Sequence, residues 1–351
     1  MPPPLYQGSM PPLHQRSPPP LHQSSSVIFN PGPDKNALKV AARRYLPQIS
    51  DPDGFTLLCV HGSGGHKEQW EPTLQQMFAK YNLGQFSIRE VWAVDWQSHG
   101  EAGRINASKL ANRGPVSTVE WAYAIAAFLR SEQLRGHRIV GIGQCLGSSA
   151  LILATRHFLP HNIPLIGIIM VEAIMLSRDY YRHGWQERHK ALDAAITLVQ
   201  GLETSWPTRG AAFNYMLHNV PWKGWDRRVL SVYVNHGLHE SSTGEIYSLN
   251  EPEISSYKDI PPHMDAVDQY RRIAAYVPVH FIFGGRNRFA SPEAQQSIFD
   301  PKYNIQASSI QRVRHARHLV LQENPDGLAE AICIALERIN QEVGASRRPR
   351  L

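Results

Sequence analysis

The stretch Val140–Arg156, VGIGQCLGSSALILATR, ends an apolar run in a cysteine between two glycines and then takes on the period of a helix. Gly143-Gln144-Cys145-Leu146-Gly147 has the spacing of a nucleophile elbow, a sharp strand-to-helix turn that lifts one reactive side chain clear of the backbone. The glycines two before and two after Cys145 leave room for that turn, where a Cβ would collide with the neighbouring strand or helix. A serine usually stands at this position. A buried inert cysteine is the competing reading, and the strand before and helix after Cys145 favour the nucleophile.

The alternation that frames this turn runs through most of the chain. Five short apolar runs read as buried parallel strands: Phe55–Gly62, Ile88–Trp96, His137–Cys145, Leu165–Ala173 and Val277–Gly285. Pro115–Leu134 and Asn324–Val343 repeat apolar residues at three and four spacing, as crossover helices of a parallel sheet do. The pattern predicts an α/β chain with a mostly parallel, doubly wound sheet. It fails over 176–275, where Tyr180, Tyr181, Trp185, Trp206, Trp222, Trp225 and Tyr233 concentrate. This interval is expected to be a helical lid over an apolar pocket, a helical subdomain with its own aromatic core, or both. The core is then 36–175 and 276–343. The imperfect repeat PPPLYQGSM-PPLHQRS-PPPLHQSSS, Pro2–Ser26, is too rich in proline and too poor in aliphatics to pack, so 1–35 is expected to be a disordered tail, and 344–351 a flexible basic one.

Composition narrows the function. The 351 residues are 42% hydrophobic and 19% charged, with a formal net charge of +6. Part of that excess lies in the terminal SRRPRL, and elsewhere bases alternate with acids, so no nucleic-acid-binding face is expected. Three cysteines (Cys59, Cys145, Cys333) do not suggest a disulfide framework. No run reaches the roughly 18 apolar residues of a membrane span, and the N-terminus lacks a secretory core. These features predict a soluble, intracellular protein. No phosphate-binding loop, dinucleotide fingerprint or zinc spacing is evident, and neither cofactor nor metal is expected. HGWQERH (His183–His189) and NHGLHE (Asn235–Glu240) carry histidines beside a glutamate without an established ligand spacing.

Acyl transfer through Cys145 needs a base, a group to orient it, and donors for the oxyanion. His318 directly precedes the Leu-Val and QENP that open the last helix and is the expected base, with His315 a solvated neighbour. Two residues compete as orienter. Glu172, ending the strand IIMVEA, is the first choice. Asn287, in GGRNRFA, is the alternative. The backbone N–H groups of Leu146 and of Ser63, in the loop His61-Gly62-Ser63-Gly64-Gly65, are the expected oxyanion donors. Asp95 and His99 are expected to organise a loop beside the site.

The segments Lys39–Pro47, Val60–Pro72, Val91–Asn106, Met170–Leu176, Trp225–Leu238 and Arg317–Ile332 together resemble the fungal α/β-hydrolases that include a yeast peroxisomal lipase and the hydrolases of host-selective toxin clusters. The resemblance covers roughly Ala37–Glu342 and implies the α/β-hydrolase fold. It also implies an enzyme of fungal secondary metabolism that hydrolyses or transfers an acyl group from an ester or thioester. Its small-molecule partner could be a CoA or carrier-protein thioester. Cys145 departs from the serine of these relatives and is similar to the cysteine elbows of dienelactone hydrolases and polyhydroxyalkanoate synthases. A ligand-binding pseudoenzyme and a non-covalent lyase or isomerase are the competing functions. Pro349-Arg350-Leu351 resembles the small-basic-leucine tripeptide read by the peroxisomal import receptor, with a cytoplasmic enzyme the alternative location.

Overall fold

A computed structural model describes residues 23–32, 37–81, 86–249, 251–286, 291–299 and 306–346. Eight strands form the main sheet: β1 (Gln23–Phe29), β2 (Val40–Leu46), β3 (Phe55–Val60), β4 (Ile88–Val94), β5 (Arg138–Gln144), β6 (Gly167–Val171), β7 (Val279–Gly284) and β8 (Ser309–Val313). Their spatial order is β1-β2-β4-β3-β5-β6-β7-β8. β2 runs antiparallel to β1 and β4, and every pairing from β4 through β8 is parallel. The strand order reverses around β3, so the crevice where a ligand enters a doubly wound sheet lies at the carboxyl ends of β3 and β5.

The central strands are buried on both faces because the alternation of side chains feeds two cores at once. Leu58 and Val60 of β3 join one apolar cluster with helices α3 (Thr118–Leu129) and α4 (Leu146–Ala154). Phe55, Leu57 and Cys59 join a second, with α1 (Glu71–Tyr81) and α11 (Pro325–Ser346). All five expected strands form. Three further strands were not expected. β1 opens in Gln-Ser-Ser-Ser and lies exposed at the sheet edge, β2 is interrupted by Arg43 and Arg44, and β8 alternates a buried end with polar positions. β1 and β8 are edge strands, whose polar positions leave no apolar run to betray them, and in the interior strand β2 the two arginines break that run.

β1 also corrects the expected tail at 1–35. Val27 and Phe29 pack on the first core, with the Phe29 and Phe128 rings edge-to-face at 5.3 Å, and so anchor part of that segment in the sheet. At the other end α11 runs to Ser346, past the expected boundary at 344. Residues 1–22, 33–36 and 347–351, the last including Pro349-Arg350-Leu351, lie outside the described residues.

Between β6 and β7 lie α5 (Arg178–His183), α6 (Trp185–Gln200), α7 (Arg209–His218), α8 (Arg227–Val232), α9 (Glu251–Lys258) and α10 (Pro261–Ile273). A small antiparallel sheet of two-residue strands (Ser205–Trp206, His239–Glu240, Ile246–Tyr247) accompanies them, so the insertion is not purely helical. Trp206, Met216, Trp222 and Leu238 belong to its own apolar cluster. α10 instead belongs to the main core: Ala266, Val267, Tyr270 and Ile273 pack with α4. The expected boundary at 275 therefore falls one helix too late. Among the described residues, no helix is long and apolar enough to cross a membrane.

Candidate active site

Cys145 stands between β5 and α4 with φ 53° and ψ −120°, a conformation few non-glycine residues hold. Two close approaches fix it. A Cβ on Gly143 would fall 2.6 Å from Ser148 Cα and 2.8 Å from the Gly147 carbonyl oxygen, and one on Gly147 would fall 2.6 Å from the Val60 carbonyl oxygen. Only glycine lets the helix start this close to the strand. The Cys145 N–H donates to the Val171 carbonyl at 2.9 Å, and the Ser148 hydroxyl to the Gly143 carbonyl at 2.6 Å, so neighbouring strand and helix tie the turn from both sides.

Three of the expected site residues meet in one hydrogen-bonded chain. His318 Nε2 lies 3.4 Å from Cys145 Sγ, and His318 Nδ1 lies 3.0 Å from Glu172 Oε2. Glu172 is itself constrained. It follows β6 with φ 52°, its own N–H donates to the Ile282 carbonyl at 2.9 Å, and its other carboxylate oxygen accepts the N–H of Gly284. Both flanking residues of the histidine are thus held in left-handed backbone at the ends of adjacent parallel strands. Burial pulls His318 down, but the facing Cys145 sulfur and Glu172 carboxylate outweigh it and raise the ring from 6.5 to about 10. Asn287 lies outside the described residues. His315, at φ 62°, is exposed, as expected of a solvated neighbour.

The loop after β3 borders the same turn. A Cβ on Gly62 would stand 3.0 Å from Cys145 Cβ, so this glycine lets the loop close on the cysteine. The Gly62 N–H donates to Gln144 Oε1 at 3.2 Å, and Gln144 Nε2 donates to Gln322 at 3.1 Å, which in turn donates to Gln69 at 3.2 Å. This glutamine chain links β5, the loop and the helix after His318, and sequence reasoning missed it. Leu146 occupies the first position of α4, where a helix leaves its amide groups without intrahelical partners, and Ser63 lines the cavity in front of Cys145. Asp95 is buried behind the loop. Its carboxylate accepts the N–H and Nζ of Lys67 at 2.8 and 3.0 Å, and the N–H of Glu101 at 3.0 Å at the start of α2 (Gly100–Leu110). His99 stacks on Trp96, and burial, reinforced by His66, drives it down to about 3. Both residues thus brace the loop.

A cavity of about 790 Å³ opens in front of Cys145, lined by core and insertion together. Of the aromatic residues singled out above, Tyr180, Tyr181, Trp222, Trp225 and Tyr233 face it. Trp206 is buried in the insertion's own cluster, and Trp185 is exposed on the outside. The insertion therefore both lines a pocket and keeps a core of its own. Sequence reasoning missed the polar residues of α9. The Ser256 hydroxyl hydrogen-bonds the Ser63 hydroxyl, and Tyr257 donates to Glu253 at 2.5 Å. Burial raises the Glu253 carboxyl, the Tyr257 hydroxyl offsetting part of the rise. No local pattern announces these residues, because Ser63 and Ser256 are 193 positions apart.

Comparison with known proteins agrees with this fold. The chain is 24% identical over 213 residues to the type I acyl-CoA thioesterase mpaH' of Penicillium brevicompactum, a stretch that covers 60% of this chain and 46% of that protein. It is 24% identical over 204 residues to mpaH of Penicillium roqueforti (strain FM164), covering 55% and 43%. The aligned stretch is thus less than half the length of either relative. Among solved structures, the peroxisomal alpha-beta-hydrolase Lpx1 of Saccharomyces cerevisiae superposes with a TM-score of 0.68 at 16% identity, over 94% of this chain and 92% of that one. The thioesterase domain from the curacin biosynthetic pathway does so with a TM-score of 0.61 at 13% identity, over 88% and 99%. The model of the alpha/beta hydrolase family matches residues 57–331, a span that holds Cys145, Glu172 and His318. On sheet order, strand-turn-helix geometry and this match, the chain belongs to the alpha/beta hydrolase family.

Proposed function

We propose that the protein hydrolyses an acyl thioester through an acyl-Cys145 intermediate, with His318 as the general acid and base and Glu172 as its orienter. The observation that carries this reading is the continuous chain from Cys145 Sγ through the His318 ring to Glu172, at the mouth of a largely apolar cavity. The thioesterase relatives support the substrate class.

The geometry yields the following sequence. Cys145 Sγ attacks the carbonyl carbon, and negative charge develops on the carbonyl oxygen beside the N–H groups of Leu146 and Ser63. Collapse breaks the bond to the leaving sulfur, which takes the proton from His318 Nε2. Water then gives a proton to that nitrogen while its oxygen attacks the thioester carbon. The second collapse releases the acid, restores the sulfur and leaves His318 protonated. Glu172 holds Nδ1–H throughout, so that Nε2 always faces the reacting atoms. Exchanging one thioester for another changes the bond energy little, and the same intermediate is open to an alcohol or amine in place of water. The insertion acts as a lid that keeps bulk water from this step.

Glu172 supplies the carboxylate that an eroded serine-type site would lack, which favours an enzyme over a ligand-binding relic. Placement in fungal specialised metabolism, and in peroxisomes through Pro349-Arg350-Leu351, belongs to the same proposal. A chromogenic assay of thiol release tests the chemistry. A burst equal to the enzyme concentration is expected where deacylation is slow, with turnover lost in Cys145→Ala and His318→Ala. Undiminished turnover in Cys145→Ala defeats the proposal.

A further inference from the structure

The motif HGWQERH carries an arginine that the reaction above does not use. Arg188 lies on α6 and lines the cavity shared with Cys145. Three contacts hold its guanidinium in place. Nη1 donates to the Tyr181 carbonyl at 2.8 Å, and the guanidinium carbon stands 4.0 Å from the Tyr180 ring centroid. The third is the backbone of Gly184, whose missing side chain leaves room for the fork: a Cβ there would fall 3.0 Å from Nη1 and from Nη2.

Arg188 joins no ion pair among the described residues, and the one hydrogen bond of its guanidinium runs to a neutral carbonyl. Other arginines of this chain are paired: Arg178 with Asp265 and Asp268, Arg228 with Asp226 and Asp326, Arg317 with Glu323. Glu187, next in sequence, also lines the cavity but forms no bridge to Arg188. A guanidinium stays charged at all working pH values and presents five N–H donors in a planar fork, of which one is used here. Stacking on a tyrosine face leaves the edges of that plane for in-plane acceptors. A fixed cation with open donors, at the border of a mostly apolar cavity, has the chemistry of a site for a planar or tetrahedral oxyanion.

We propose that Arg188 binds an anionic oxygen group that the substrate carries apart from its reacting carbonyl, either a carboxylate on the acyl chain or a phosphate of the thiol carrier. The inference rests on the reading of this cavity as the acyl site. An acyl carboxylate makes the enzyme selective for charged acyl groups over plain aliphatic ones, and a carrier phosphate makes it selective for phosphate-bearing thiol carriers over simple thiols.

The test uses the full chain as Cys145→Ala, which keeps thioesters intact, with and without Arg188→Met. Calorimetric titration compares octanoyl-N-acetylcysteamine, its ω-carboxy counterpart, and coenzyme A. If the anion is on the acyl group, the ω-carboxy thioester binds at least tenfold tighter than the octanoyl one, and Arg188→Met erases the difference while leaving octanoyl binding unchanged. If it is on the carrier, Arg188→Met weakens coenzyme A at least tenfold and the two thioesters behave alike. Arg188→Lys keeps part of either advantage. Equal affinities in both backgrounds overturn the proposal. So does an equal loss for all three ligands with a lowered melting temperature, which identifies Arg188 as a strut of the insertion. Failure of the acyl-enzyme reading appears separately, as turnover without modification of Cys145.

Discussion

Glu172→Gln is the substitution whose consequence the geometry fixes most closely. The carboxylate is almost wholly buried, with one oxygen on the Gly284 N–H and the other 3.0 Å from His318 Nδ1. Glutamine has the same shape, and its carbonyl oxygen can keep the Gly284 bond. Its NH2 group then faces Nδ1 and demands an acceptor there. The ring must give up its Nδ1 proton, which removes the imidazolium, or else set two donors against each other. A charge-assisted bond in a buried site contributes about 1.5–3 kcal/mol, and an opposed donor pair adds a desolvation cost of about 1 kcal/mol or more. At ~1.4 kcal/mol per tenfold, a loss of roughly 2–4 kcal/mol is a fall in kcat/KM of about 30- to 1000-fold. Thiol release from an acyl thioester measures it, with circular dichroism to show that the fold is kept. Asn287→Ala in parallel is expected to stay within a few-fold of wild type. A Glu172→Gln enzyme within threefold of wild type refutes the reasoning, and a large loss in Asn287→Ala alone transfers the orienting role to that residue.

The remaining predictions concern the ring, the thiols and the turn. His318 is expected to hold its proton to about pH 10, and Cys145→Ala, by removing the facing sulfur, should bring that midpoint down in an NMR titration. Because its folded pKa is raised, the stability that His318 contributes is full below pH 6.5 and is lost as pH rises toward 10. The melting temperature should therefore fall across that window in wild type and less so in Cys145→Ala. Mild iodoacetamide should alkylate Cys145, which borders the cavity, well before Cys59, which is fully buried and whose thiol burial pushes far up; peptide mass mapping reads the order. Gly143→Ala sets a methyl 2.6 Å from Ser148 Cα, an overpacking that should cost about 1–3 kcal/mol in urea unfolding and abolish turnover.

What could be read in the sequence was what is local. The bend at Cys145 follows from two glycines and a change of apolar period, and His318 and Glu172 stand at the ends of a loop and a strand whose patterns are plain. The central strands announced themselves because both faces are buried, whereas β1 and β8, half exposed at the edges, gave no apolar run. The pattern places α10 in the insertion because its amphipathic stripe does not say which core it will join. Beyond the Cys145–His318–Glu172 meeting, long-range juxtapositions escaped. The Gln144–Gln322–Gln69 chain joins parts of the core that are far apart in sequence, and the seat of Glu253 beside Gly64 exists only once the insertion is packed on the sheet.

The central claim is a covalent bond between substrate and Cys145, and intact-mass spectrometry of the enzyme quenched in acid during turnover of an acyl thioester tests it most directly. The account predicts one added acyl mass, mapped to the peptide that contains Cys145, accumulating in His318→Ala where water is no longer activated, and absent from Cys145→Ala. Steady turnover with no adduct in either enzyme, or an adduct that persists in Cys145→Ala, contradicts it.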